Sequence, residues 1–271
     1  MTVGFSGAVA EYYAKFRRGY PSQVFDTLQE VFELSQDDVV LDVGCGTGQL
    51  ALPFASRVRS VVGVDPEPDM LRLAREAAAD QGIRNATWML GADTDVPALG
   101  ALLGERSLAL AVIGQALHWM RHEELFRAVS PLLRSGGGIA VISNGTPLWL
   151  QDSAWSRGLR GCLEEWLGTT LEASCGTSGR DRLRYARALE AAGFVGVREA
   201  VVEYSGELTF DHLFGGVCSA IPAHQLPGPD DRADFAERIR RALPADERFT
   251  EQVRVTTVVG LAGAGRPSRL G

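Results

Sequence analysis

Val39-Val40-Leu41-Asp42-Val43-Gly44-Cys45-Gly46-Thr47-Gly48 decides how the rest of the chain is read. A short apolar run rich in β-branched residues ends in a glycine turn, and a helix-compatible run follows. Gly44, Gly46 and Gly48 let the chain turn sharply and let a ligand approach backbone without meeting a Cβ. The spacing is GxGxG rather than the GxGxxG of a pyrophosphate-binding turn, and a Walker-type lysine is missing. The ligand expected is a nucleoside with a non-phosphate tail. Asp65 closes the next apolar run, Val61-Val62-Gly63-Val64, where an acid can accept both hydroxyls of a ribose. Gly91-Ala92-Asp93 offers a carboxylate for an exocyclic amine, with Asp95 as its competitor. Asp42 suits either a ligand contact or a loop-fixing role, and Cys45 suits the turn as a small residue.

Outward from this stretch, strands and helices alternate. Strands are expected over 39–43, 60–64, 86–89, 107–113 and 137–143, and helices over 48–56, 68–80, 97–103 and 121–132. The strands read as continuous apolar runs, the mark of a sheet covered on both faces. The rhythm predicts an α/β, doubly wound, Rossmann-like and mostly parallel sheet, with its functional end at the carboxyl ends of the strands. Upstream, Phe5, Val9, Tyr12, Tyr13 and Phe16 approximate helical spacing, and Ser22 is placed to cap a second helix. After Asn144 the pattern loosens into amphipathic helical stretches, with strands at VREAVVEY and EQVRVTTVVGLAG. The organisation expected is helices over 1–36, a ligand-binding core over 37–144 and a helical lid insertion over 145–179. A core helix and strand follow over 180–205, then a second lid insertion over 206–249, a last core strand over 250–262 and a tail over 263–271.

Composition bounds the function. Acidic residues outnumber basic ones by 34 to 27 in 271 residues, so a polyphosphate backbone is a poor partner and nucleic acid is not expected. The four cysteines and four histidines show no metal-site spacing, so no metal is expected. No apolar run is long enough to cross a bilayer, and no secretory leader pattern opens the chain. A cytoplasmic protein, monomeric or homodimeric, with a small-molecule substrate is the expectation. Four of the five tryptophans fall between Trp119 and Trp166.

These motifs resemble the class I S-adenosylmethionine-dependent methyltransferases, in particular the small-molecule branch of ubiquinone/menaquinone-type and trans-aconitate-type enzymes. DVGCGTG is similar to the family's first motif, VGVDPEPDML to its second, and LLRSGGGIAVI to its region around the fifth strand. The resemblance implies S-adenosyl-L-methionine as cofactor and a seven-strand sheet whose last strand is antiparallel. It places the loop of Gly44, Cys45, Gly46 and Gly48, with Asp42, beside the methionyl portion. Asp65 then holds the ribose, within a motif that includes Pro66 and Met70. Asp93, with Thr94 beside it, recognises adenine, and Gln115 of GQALHW lines the cleft. AEYYAKFRRGYP is similar to an N-terminal pattern that implies Tyr13 and Arg17 closing over the cofactor, Arg17 near its carboxylate. Arg18 stands where this pattern commonly has proline.

Methyl transfer needs nucleophile, methyl carbon and sulfur in line within a shielded cavity, and for a protic acceptor a base as well. His118 is the candidate base, with pocket shape or a surface position as its alternatives. Trp119, Trp149, Trp155, Phe210 and Phe214 are candidates for an apolar roof over the acceptor, or else for packing the lid onto the core. The function expected is methylation of a small hydrophobic or aromatic metabolite, with oxygen favoured slightly over nitrogen or carbon. A cyclising or rearranging enzyme of the same fold, and a non-catalytic ligand-binding or regulatory protein, are the alternatives.

Overall fold

Seven extended segments pair into one sheet: β1 (Val39–Val43), β2 (Ser60–Asp65), β3 (Ala86–Leu90), β4 (Leu108–Gly114), β5 (Leu133–Asn144), β6 (Phe194–Leu208) and β7 (Phe249–Ala262). Their order across the sheet is β3-β2-β1-β4-β5-β7-β6. The first five run parallel, while β7 is antiparallel to both β5 and β6. This computed structural model describes residues 4–172, 175–245 and 248–263. Beyond Gly263, the expected tail lies outside the described residues.

The central strands are buried along their length because helices cover both faces. On one face, α2 (Ser22–Val31) and α3 (Ala51–Ala55) bring Val24, Phe25, Leu28 and Phe54 against Val40, Leu110 and Ile142. On the other, α5 (Val96–Leu103), α6 (His122–Val129) and α8 (Gly179–Ala191) bring Leu99, Phe126 and Leu189 against Leu41, Ile113 and Ile139. Ala10 of α1 (Ala8–Phe16) packs with Met70 and Leu73 of α4 (Pro68–Asp80). A separate apolar cluster joins α7 (Ala154–Leu167), α9 (Phe210–Cys218) and α10 (Arg232–Ala242) through Leu159, Leu163, Leu213, Val217, Phe235 and Ile239. These three helices form a cap with a core of its own.

Three of the departures from the expected element boundaries have a local reason. Gly48 has φ +85°, which holds residues 48–50 in a turn, and α3 begins at Ala51 rather than 48. Gly136 has φ +74° and the β4–β5 register shifts between Leu108 and Leu110, so β5 starts at Leu133 and bends before its regular stretch. Pro131 lacks an amide hydrogen, and α6 ends at Val129, passing into a single 3₁₀ turn. β6 continues to Leu208, three residues beyond the expected break at 205. Among the described residues, no helix is long and apolar enough to cross a membrane.

The fold brings α1 and the cap together above the carboxyl ends of the parallel strands. Phe16, the last residue of α1, rests flat on α9 at Gly215, where a Cβ would collide with its ring. Stacked Tyr12 and Phe16 rings continue this contact toward Phe214.

Candidate active site

A cavity of about 250 Å³ opens where the glycine loop, α1, the ends of β4 and β5, and the cap meet. The loop itself is shaped by close approach. A Cβ on Gly44 would lie 2.6 Å from the Ala116 Cβ, and one on Gly48 2.9 Å from the Trp88 ring. Gly44, Gly46 and Gly48 all have positive φ, at 72°, 52° and 85°, which glycine adopts without strain. The Gly46 amide donates to Asp65 Oδ2 at 2.8 Å, and the Glu67 amide donates to Oδ1 at 2.9 Å. One carboxylate thereby ties the loop to the end of β2 while still lining the cavity. Burial raises the Asp65 pKa, opposed by these two amides.

Residues 17–20 cross the strand ends between α1 and α2. Gln49 Nε2 donates to the Arg17 carbonyl at 3.0 Å, and Asn144 Nδ2 donates to the carbonyls of Arg18 and Gly19 at 3.5 and 3.1 Å. The Tyr20 side chain lies over Gly114, where a Cβ would come within 2.5 Å of its hydroxyl. Tyr13 stands beside Gly46 and carries the Arg17 guanidinium 5.3 Å from its ring centroid. This segment forms one wall of the cavity through Arg17, Arg18 and Tyr20.

Several polar atoms around this wall are fully enclosed and lack a hydrogen bond of ordinary geometry. They are both carboxyl oxygens of Asp42, Arg17 Nε, Arg18 Nη1 and Asn144 Oδ1. Such atoms are uncommon in a finished interior, because each forfeits its interaction with water. Asp42 is 1% exposed, and its carboxyl is pushed up to about 8, first by burial and then by Asp65, with the Ala51 amide acting the other way. The orphaned guanidinium hydrogen of Arg17, on the cavity wall, suits an anionic group such as the carboxylate of an amino-acid tail.

His118, Trp119, Thr146, Leu148, Trp149 and Leu208 also line the cavity. Its lining is chiefly apolar, with a few polar groups, as small-molecule sites usually are. Burial holds the His118 pKa down at about 4, with Arg17 and Arg184 adding to that effect and Asp181 opposing it. The imidazole is therefore neutral at ordinary pH. Trp119 is 61% exposed overall yet contributes to the wall at the mouth.

Comparison with known proteins agrees with this geometry. Residues 40–137 match the family model described as a methyltransferase domain. The core of this chain is similar to a methyltransferase domain. The chain is 32% identical over 144 residues to an uncharacterized methyltransferase of Mycobacterium tuberculosis, Rv3342, across 53% of each protein. It is 27% identical over 129 residues to a Saccharomyces cerevisiae protein described as a probable S-adenosylmethionine-dependent methyltransferase, covering 48% of this chain and 43% of that one. The match thus spans about half the length of these curated relatives. The YcgJ protein of Bacillus subtilis shares the fold, with a TM-score of 0.55 at 16% identity over 90% of this chain and all of that one.

Between the core and its cap, the cavity gathers Tyr13, Arg17, Gly44, Gly46, Asp65, Pro66, Met70, Gln115, His118, Trp119 and Trp149. Other expected residues stand apart from its wall. Asp42 lies buried behind the loop, Gly48 is turned toward Trp88, and the buried Cys45 thiol faces the Gly46 carbonyl. Asp93 accepts the Arg121 amide at 3.1 Å, Thr94 is exposed, and Asp95 accepts the Ala92 amide at 2.8 Å. Three of the aromatic candidates take the packing alternative. Trp155 is buried in the cap and donates from Nε1 to the Thr250 carbonyl at 3.0 Å, so it packs the cap rather than facing the cavity. Phe210 and Phe214 stack on each other against the cap core, with the Arg240 guanidinium 3.7 Å from the Phe210 ring centroid. Phe214 also reaches a shallow outer groove beside Tyr12 and Arg232. Sequence reasoning missed Gln49, Glu67, Tyr20 and Asn144 as wall residues. Asn144 had a usable signal, a polar residue closing an apolar strand on the functional edge of the sheet.

Proposed function

We propose that the chain transfers a methyl group from S-adenosyl-L-methionine to a small hydrophobic or aromatic acceptor, with oxygen favoured over nitrogen or carbon. The observation that carries this reading is one continuous cavity lined by two chemically different sets of residues: the glycine loop with Arg17 and Asp65, assigned to the cofactor end, and His118, Trp119, Leu148 and Trp149, assigned to the acceptor end. The orphaned Nε of Arg17 fits the cofactor's carboxylate, and Asp65 retains acceptor capacity for the ribose hydroxyls. Pro66 and Met70 supply an apolar wall suited to a purine face. When bound, the cofactor supplies an electrophilic methyl group.

The chain's own residues do the rest by enclosure and positioning. Trp119, Trp149 and Leu148 narrow the acceptor end and keep water away from it. The neutral His118 imidazole is available to take a proton from an acidic hydroxyl, and the Tyr20 hydroxyl and Asn144 amide offer hydrogen bonds that orient it. Incubation with methyl-labelled S-adenosyl-L-methionine and a panel of phenols and aromatic alcohols tests this reading. Labelled product and S-adenosyl-L-homocysteine should form in equal amounts. Product formed without label would instead identify a cyclising or rearranging enzyme.

A further inference from the structure

Arg18 and Glu251 form a charged pair that the cofactor end of the cavity does not use. Arg18 Nη1 lies 3.1 Å from Glu251 Oε2, and the two side chains are 26% and 3% exposed. Arg18 is a wall residue; Glu251, on β7, lies behind it and is not. Gln151 Nε2 approaches the same Glu251 oxygen at 3.5 Å. The Tyr204 hydroxyl borders the guanidinium from β6; burial raises the Tyr204 pKa and Arg18 opposes that rise.

Arg17, Asp65 and Glu67 line the part of the wall assigned above to the cofactor. Arg18 Nη1 lies against Gly145, beside the Thr146–Trp149 stretch of the wall assigned to the acceptor, where the remaining side chains are aromatic, aliphatic or neutral polar. An uncompensated arginine there would select an anionic ligand. Fold stability is a weak reason to keep the pair, since apolar replacement of both partners of a buried ion pair is often neutral. We infer that Glu251 sets the charge selectivity of the acceptor site: by cancelling Arg18 it makes the site take neutral apolar acceptors and disfavour anionic ones. This inference rests on reading that end of the cavity as the acceptor site.

Two dyes of one aromatic skeleton test it: neutral N-phenyl-1-naphthylamine and its sulfonated counterpart 8-anilino-1-naphthalenesulfonate. Fluorescence titration with S-adenosyl-L-homocysteine bound gives the ratio of their affinities. Wild type should favour the neutral dye. Glu251→Gln keeps the side-chain shape and removes the charge, and should shift the ratio toward the sulfonate by about tenfold. The double variant Arg18→Met with Glu251→Met should return the ratio to the wild-type value, with thermal unfolding confirming that each variant folds. A ratio unchanged by Glu251→Gln, or one the double variant fails to restore, overturns the inference. Failure of S-adenosyl-L-homocysteine to bind wild type would count against the cofactor site instead, and the dye ratio of the ligand-free protein would still test the charge.

Discussion

His118 shows how burial alone can set the state of a group at this site. Its pKa is held near 4, against an ordinary value of 6.5, so between those values the folded chain binds fewer protons than the unfolded one. The stability this contributes is fully present above about pH 6.5 and is lost as pH falls toward 4. His118→Gln should reduce the slope of unfolding free energy against pH across that window in urea titrations. An unchanged slope would mean that His118 is not the buried neutral group described here. His122 is also held below its ordinary value, so part of the slope should remain. If His118 is the base, the rate it supports should be flat above about pH 5 and fall only near pH 4, since the neutral form does the work. At this scale the glycines and Asp65 were legible because backbone turns and strand ends leave fixed spacings in sequence. The placement of Trp155 was not, because its partner is the Thr250 carbonyl, 95 residues away.

Elements were readable where periodicity spoke, and their contacts were not. The 13-residue α4 falls on the 68–80 expected, its apolar stripe buried and Pro68 at its first turn. Nothing in Leu213-Phe214-Gly215-Gly216-Val217 announces that α1 lies against α9, since a glycine pair in an apolar helix reads equally as looseness. The structure gives Gly215 a specific task, to leave room for the Phe16 ring. Gly215→Ala should destabilise the protein by about 1–3 kcal/mol, because the ring must leave a well-packed position. Equilibrium urea unfolding checks this, and a loss below about 0.5 kcal/mol would show that α1 does not depend on that contact. Gly158 plays a parallel part within the cap, where a Cβ would strike the Ala242 carbonyl and force α7 away from α10.

On the scale of the whole molecule, alternation of short apolar strands with helices was enough to predict a doubly wound sheet with its site at the strand ends. The β3-β2-β1-β4-β5-β7-β6 order places the glycine loop of β1 beside β4, where the chain reverses its direction of travel across the sheet. The cap was legible only as helical insertions; that it has its own apolar core follows from packing among segments far apart in sequence. The site depends on both layers, since the parallel strand ends supply Asp65, Gly114 and Asn144 while α1 and the cap close over them. On the function proposed above, Asp65, rather than the more distant Asp93, is the acidic anchor of the cofactor. Calorimetric titration with S-adenosyl-L-homocysteine tests this most directly. Wild type should bind one molecule per chain, and Asp65→Ala should weaken binding by about 2–4 kcal/mol, or roughly 30- to 1,000-fold, while Asp93→Ala changes it far less. Equal affinity of wild type and Asp65→Ala, or a larger loss in Asp93→Ala, would contradict it.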